Sequence, residues 1–323
     1  MTLKIDSSAR LIGKIKAGHN SYFAQGTIIR SIGEAVTIGG SSMILENSVL
    51  IGTPEHPVVV GQKTVFGHRC LVLGATIGDL CEIGNSSIFL PGCVVGKMCI
   101  FGEGTMIESN QVIPDGSVVV GRPGRIIRRL TEDDIAMITR MRGGDIQLND
   151  NDEKITHEGY VEDKMGQLYP YRDKMPQVAE TARIFDSAEI TGDVIIGENT
   201  IIGSGVRIIG NSHGPVIIGN NVQILENTVL HLLPDNRLVI ADDVTIGPGC
   251  MIHGTTIGKH CVIESGSIVC DYSALGDNVL VTAGTLVKQR STFEDNQILE
   301  GFPAKSIGHN QAILSRPDWA FSD

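Results

Sequence analysis

The side chains that could do chemistry in this sequence are nine histidines and seven cysteines. An imidazole can ligate a metal ion or move a proton near neutral pH, and a thiolate can ligate or attack. Their spacing separates them. The cysteines are odd in number and form no CxxC pair, and Cys70, Cys81, Cys250 and Cys261 fall on apolar positions of a repeat. They read as reduced, small core residues of a cytoplasmic protein, with a cysteine metal site as the minor reading. His19, His157, His260 and His309 have no convergent partners in the sequence and read as surface residues, while His213, beside Gly214 and Pro215, reads as a solvated turn. His56 stands in the short loop GTPEHP, and His68, His231 and His253 stand inside the repeat. What these four can do depends on the elements that carry them.

Those elements announce themselves by an aliphatic residue returning every six positions: Ile190, Ile196, Ile202 and Ile208, then Ile218, Ile224 and Leu230, then Ile240, Ile246 and Ile252. After one five-residue step it continues from Ile257 through Ile263, Val269, Leu275 and Val281 to Val287. A helix would return at three and four, and a two-faced strand at two. Six fits a coil in which each hexapeptide makes one flat face and one corner. The first half repeats this in constant register, since 218, 224, 246, 257 and 287 each lie 180 after 38, 44, 66, 77 and 107. The chain is therefore expected to be all-β, two tandem parallel β-helix domains whose stability comes from neighbouring coils.

One copy alone leaves its flanks open, and exposed strand edges need cover. Thr131, with Asp134 at the third position and Ile135, Ile138 and Met141 behind it, predicts a capped helix over 131–142 packed along the first copy. In the second copy Pro317 interrupts any helix beginning near His309. Between the copies, residues 145–163 hold seven acids against the one base Lys154 and read as a solvated linker with little fixed structure. The expected domains are 1–144, with the helix at its end, an acidic linker at 145–175, and 176–323. The basic run Arg125, Arg128 and Arg129 beside the helix start reads as a salt-bridge partner rather than an anion site. A net charge of −11 argues against nucleic acid, and the absence of an apolar run of 18 residues argues against a membrane-spanning helix.

The repeat resembles the left-handed β-helix superfamily, and local residues resemble its γ-class carbonic anhydrases. IGPGCMIHGTTIG, at residues 246–258, is similar to that family's IGHGAMLHGCTIG-like segment. ENTVLH ends in His231 where the family places its first ligand, and the tails GFPAK and GRPGRIIRRLT resemble its GxPAK–helix ending. The likeness covers most of both copies. It implies a trimer with metal between subunits, bound by three histidines, of which the first and third come from one subunit and the middle one from its neighbour. Carried across, those positions are His231, Pro248 and His253 in the second copy and Ile51, His68 and Leu73 in the first. Neither copy has a full set. A composite site for Zn or another divalent metal, built from His68, His231 and His253, is expected if copy one packs beside copy two in a trimer or pseudo-trimer of β-helices.

The implied activity is hydration of CO2 to bicarbonate, by the lowered pKa of a metal-associated water. Some family features are missing. Its glutamine six residues before the first ligand is Leu225 here and Leu45 in copy one. Its RGD-like motif survives only as Arg30, with Ile32 at the aspartate position, and copy two has Ile209 and Asn211 there. Glu46 and Glu226 do match its acidic position, while the loop 232–237 has Asp235 but no glutamate. Two other readings stand beside the lyase: a non-catalytic assembly scaffold, and a hexapeptide acyltransferase using His56, whose counterpart in copy two is Asn236.

Overall fold

A computed structural model describes residues 3–159, 165–211 and 214–321, which leaves His213 outside the described residues. The chain forms two compact units, Met1–Val161 and Glu162–Asp323, each a left-handed parallel β-helix. In the second unit Gln223–Ile224, Thr245–Ile246, Val262–Ile263 and Leu280–Val281 pair in parallel register. That register stacks Ile224, Ile246, Ile263 and Val281 into one inward column, each 0 % exposed. The first unit builds the same column from Ile44, Phe66, Ile83 and Phe101. Full burial of each such side chain stabilises by about 1.5–3 kcal/mol. Corners need a left-handed turn residue, and Asn47 and Asn227 supply it at φ 59° and 54°. All seven cysteines are free, and burial pushes the thiols of Cys70, Cys93, Cys250 and Cys261 up to about 12. They pack as small apolar groups.

The helix of the first unit runs Glu132–Met141. The Thr131 hydroxyl accepts from the Asp134 N–H, and the Asp134 carboxylate accepts from the Thr131 N–H, so both orphan donors are satisfied. Arg128 forks onto the same carboxylate and, with Thr131, holds it well below the usual carboxylate range. Of the three apolar residues expected to face the prism, only Ile138 is buried; Ile135 and Met141 stand exposed. Docking is completed at the helix end. Arg142 reaches Glu82 at 2.5 Å, and its Nε donates to the Lys63 carbonyl at 2.7 Å. The Arg142–Glu82 contact is an ion pair rather than an aligned hydrogen bond.

Past the helix, the chain departs from the expectation of a loose acidic linker, because two of its acids, Asp145 and Asp152, find fixed partners. Asp145 pairs with Lys63 at 2.7 Å, Asn149 and Gln62 exchange two hydrogen bonds, and Asp152 accepts the Gly40 N–H at 3.0 Å. Lys154–Gly159 is then a strand, antiparallel to Arg10–Gly18. The long strand Arg10–Gly18 offers an edge that needs a partner, and a segment tied down by its acids supplies one. The second prism also opens earlier than residue 176, because Gln167–Tyr169 already pairs in register with Glu189–Thr191. At its far end the described residues form no helix. Instead the tail lies extended, with Leu314, Arg316 and Phe321 bonded to Asn278, Asn221 and Gln223. It covers the sheet equivalent to the one the helix covers in the first unit.

Candidate metal centre

Within the second unit, Val229–His231 pairs with Arg207–Ile209 on one side, and Val229 and Leu230 pair with Met251 and Ile252 on the other. Leu230 and Ile252 point inward, so the next residue along each strand points out. His231 and His253 therefore stand in one column on adjacent coils, their ring centroids 6.0 Å apart and their planes at 89°. Imidazoles that share a zinc ion hold it at about 2.0–2.1 Å per nitrogen. Sharing one ion would require these two rings to turn toward each other.

A carboxylate backs the second ring. His253 Nδ1 lies 3.2 Å from Asp271 Oδ2, close but not aligned as a hydrogen bond. Asp271 is itself fixed. Its Oδ1 accepts from the Gly254 N–H at 3.1 Å, from Asn236 Nδ2 at 3.2 Å and from the Leu233 N–H at 3.4 Å. Asn236 also donates to the Gly254 carbonyl at 2.8 Å. A Cβ at Gly254 would sit 2.3 Å from Asn236 Nδ2, so a larger residue there would push that amide out of its place. With Nδ1 turned to a carboxylate, Nε2 is the nitrogen presented outward, as in histidines oriented to bind a metal.

In the first unit the equivalent column holds Ile51 and Leu73, in register and buried, and Pro91 stands where Asp271 would be. His68 occupies the corner between Val65–Phe66 and Leu71–Leu73, its N–H donating to Asn85 Oδ1 at 2.7 Å. Its side chain is 52 % exposed, and its Nδ1 lies 2.6 Å from Glu46 Oε2, again without hydrogen-bond alignment. His68 thus has the same build as His253: a carboxylate behind the ring and Nε2 free to face a ligand. Among the described residues, no three His, Cys, Asp or Glu side chains form a set that could hold an ion. The second unit gathers two of the three histidines, and the third belongs to the first.

The other candidates separate clearly. His56 sits in a tight turn in which its N–H meets Thr53 Oγ1 at 3.1 Å and its carbonyl accepts the Thr53 N–H at 3.0 Å. It packs on Gly74 through its Cβ and backbone, where the corresponding Asn236 meets Gly254 through its side-chain amide. Arg128 is taken by Asp134 and Arg129 by the Asp115 carbonyl, both within the first unit. His19 and His309 are exposed; His157 and His260, expected on the surface, are half-buried, one in the strand Lys154–Gly159 and one at a prism corner. Sequence reasoning misses Asp271. The clue lies in coil length: it follows His253 by three hexapeptides, one full coil.

Residues 237–271 match the family model of the bacterial transferase hexapeptide (six repeats), and residues 57–88 match the hexapeptide repeat of succinyl-transferase. A carbonic anhydrase of Geobacillus kaustophilus is 40% identical over 140 residues, which is 43% of this chain and 76% of that protein. The mitochondrial gamma carbonic anhydrase 1 of Arabidopsis thaliana is 31% identical over 41% of this chain and 50% of its own length. A solved hexapeptide transferase family protein from Anaplasma phagocytophilum is 31% identical, covering 45% of this chain and 85% of that one, with a TM-score of 0.42.

Proposed function

Because the chain belongs to the hexapeptide-repeat, left-handed β-helix family with carbonic-anhydrase-like relatives, we propose that it is a γ-carbonic-anhydrase-like metalloprotein with a composite site. His231 and His253 of the second copy supply a pair of imidazoles, and His68 of a first-copy domain, brought alongside by assembly, supplies the third. A divalent metal, zinc being suited to three imidazoles, would supply Lewis acidity and lower the pKa of water toward about 7, the chemistry of CO2 hydration. The chain's own residues do the positioning. Asp271 and Glu46 orient His253 and His68, and Asn236 holds Asp271. The observation that carries this reading is the perpendicular His231–His253 pair with a fixed carboxylate behind one ring.

Metal analysis of the purified protein tests it. Bound metal should be lost in His68→Ala, His231→Ala and His253→Ala alike, and any CO2 hydration should vanish with it. Metal that survives all three substitutions, or protein that takes up none, would overturn the composite site. One observation favours a second reading, a non-catalytic β-helix scaffold. Leu225, fully buried, stands where the resemblance calls for glutamine. A scaffold would keep its assembly state with all three histidines replaced.

A further inference from the structure

The second unit contains a cleft of about 720 Å3 whose lining shares no residue with the histidine column. Small-molecule sites occupy roughly 300–1,000 Å3. Its floor is a ladder of stacked corners: Asn199, Asn221, Asp243 and His260, at φ 55°, 55°, 62° and 57°. One wall is the first coil, with Arg183, and the other is the C-terminal tail, with Arg316. This wall is fixed rather than frayed. Arg316 donates to the Asn221 carbonyl at 2.8 Å, and the Leu314 N–H donates to Asn278 Oδ1 at 2.8 Å.

The lining of this cleft holds more cations than carboxylates, with Glu198 beside it accepting from the Thr181 hydroxyl. Two guanidinium groups and an imidazole face a single carboxylate, in a chain whose formal charge is −11. That carboxylate is already engaged, since Asp243 accepts from Asn221 Nδ2 at 3.2 Å and lies 3.8 Å from His260 Nδ1. Among the described residues, no hydrogen bond or ion pair ties down the Arg183 guanidinium, and the residue is exposed. A guanidinium fork left facing a polar cleft matches the paired oxygens of a carboxylate or phosphate.

The duplication supplies an internal comparison. By ladder register the first unit has Lys4 at the place of Arg183, and its corresponding corners carry Ser41, Lys63 and Leu80. There Lys63 pairs with Asp145 and the nearby Arg142 with Glu82, while Lys4 makes no ion pair among the described residues. The two copies keep one core and differ in this corner ladder. In the first the corner cation Lys63 is held by an internal ion pair, and in the second the corners stand beside an arginine.

We infer that this cleft binds a small oxyanion, a phosphate- or carboxylate-bearing metabolite, with Arg183 as its principal ligand and Arg316 and His260 completing the site. Calorimetric titration of the full chain tests it, with inorganic phosphate in one arm, succinate in the other, and ionic strength held constant by NaCl. Saturable one-site binding of either anion is expected, and the tighter arm identifies the oxyanion. Arg183→Ala and the longer neutral Arg183→Gln should each weaken it roughly ten- to hundredfold, Arg183→Lys should restore part of it, and Arg125→Ala in the first unit should leave it unchanged. Absence of saturable heat with both anions overturns the inference. So does binding that is equal in the wild type and both neutral Arg183 variants, provided these keep the wild-type melting temperature.

Discussion

At the scale of single residues, the second copy has two things the first lacks, a histidine at 253 with an aspartate one coil on. Leu73 and Pro91 stand in their places in copy one. Asp271→Asn retains the size of the side chain but removes the charge behind His253. Metal affinity, read by competition with a chelator, should fall about 10- to 100-fold while thermal stability changes little. An unchanged affinity would mean the carboxylate only braces the loop. A second carboxylate gives a pH prediction. Burial raises the Glu264 pKa above its usual value, against a hydrogen bond from the Ala283 N–H. A carboxyl whose folded pKa is raised contributes its stability below the unfolded value, about 4.5, and loses it as pH rises through the folded one. Glu264→Gln should therefore match the wild type in acid and melt higher than it at neutral pH, as thermal scans at pH 4 and pH 7.5 would record.

At the scale of elements, the two copies cover equivalent sheets by different means, a capped helix in one and an extended tail in the other. The helix buries one apolar side chain, so its docking leans on the Arg142–Glu82 pair. Burial raises the Glu82 carboxyl and Arg142 offsets this. Removing one partner of a buried pair costs about 3–5 kcal/mol, because the other charge is left stranded. Arg142→Ala should lose that much in urea unfolding, and adding Glu82→Gln should recover a substantial part. Equal losses in the single and double variants would show that packing, not charge, holds the helix end.

At the scale of the whole molecule, the histidine inventory sets a ceiling. Each copy could carry three ligand positions, yet only three histidines occupy the six. The composite reading expects one metal per chain and not two, measurable as a metal-to-protein ratio near one by elemental analysis. A ratio near two would require ligands other than these histidines. Among the described residues no helix is long and apolar enough to cross a membrane.

The repeat was written plainly in the sequence, because every coil buries the same inward position and a six-residue return has no other use. The ungapped offset of 180 residues and the Thr131 cap were equally legible, since both depend on local spacing. The strand Lys154–Gly159 was hidden by its acids. Composition described a solvated segment, and only the open edge of Arg10–Gly18 and donors such as Gly40 N–H and Lys63 made it a strand. Sequence put His231 and His253 in one set by resemblance, but their shared face, and the place of Asp271 behind one ring, came from the stacking of coils. That stacking turns a separation of one coil along the chain into a contact in space, and no local pattern carries it.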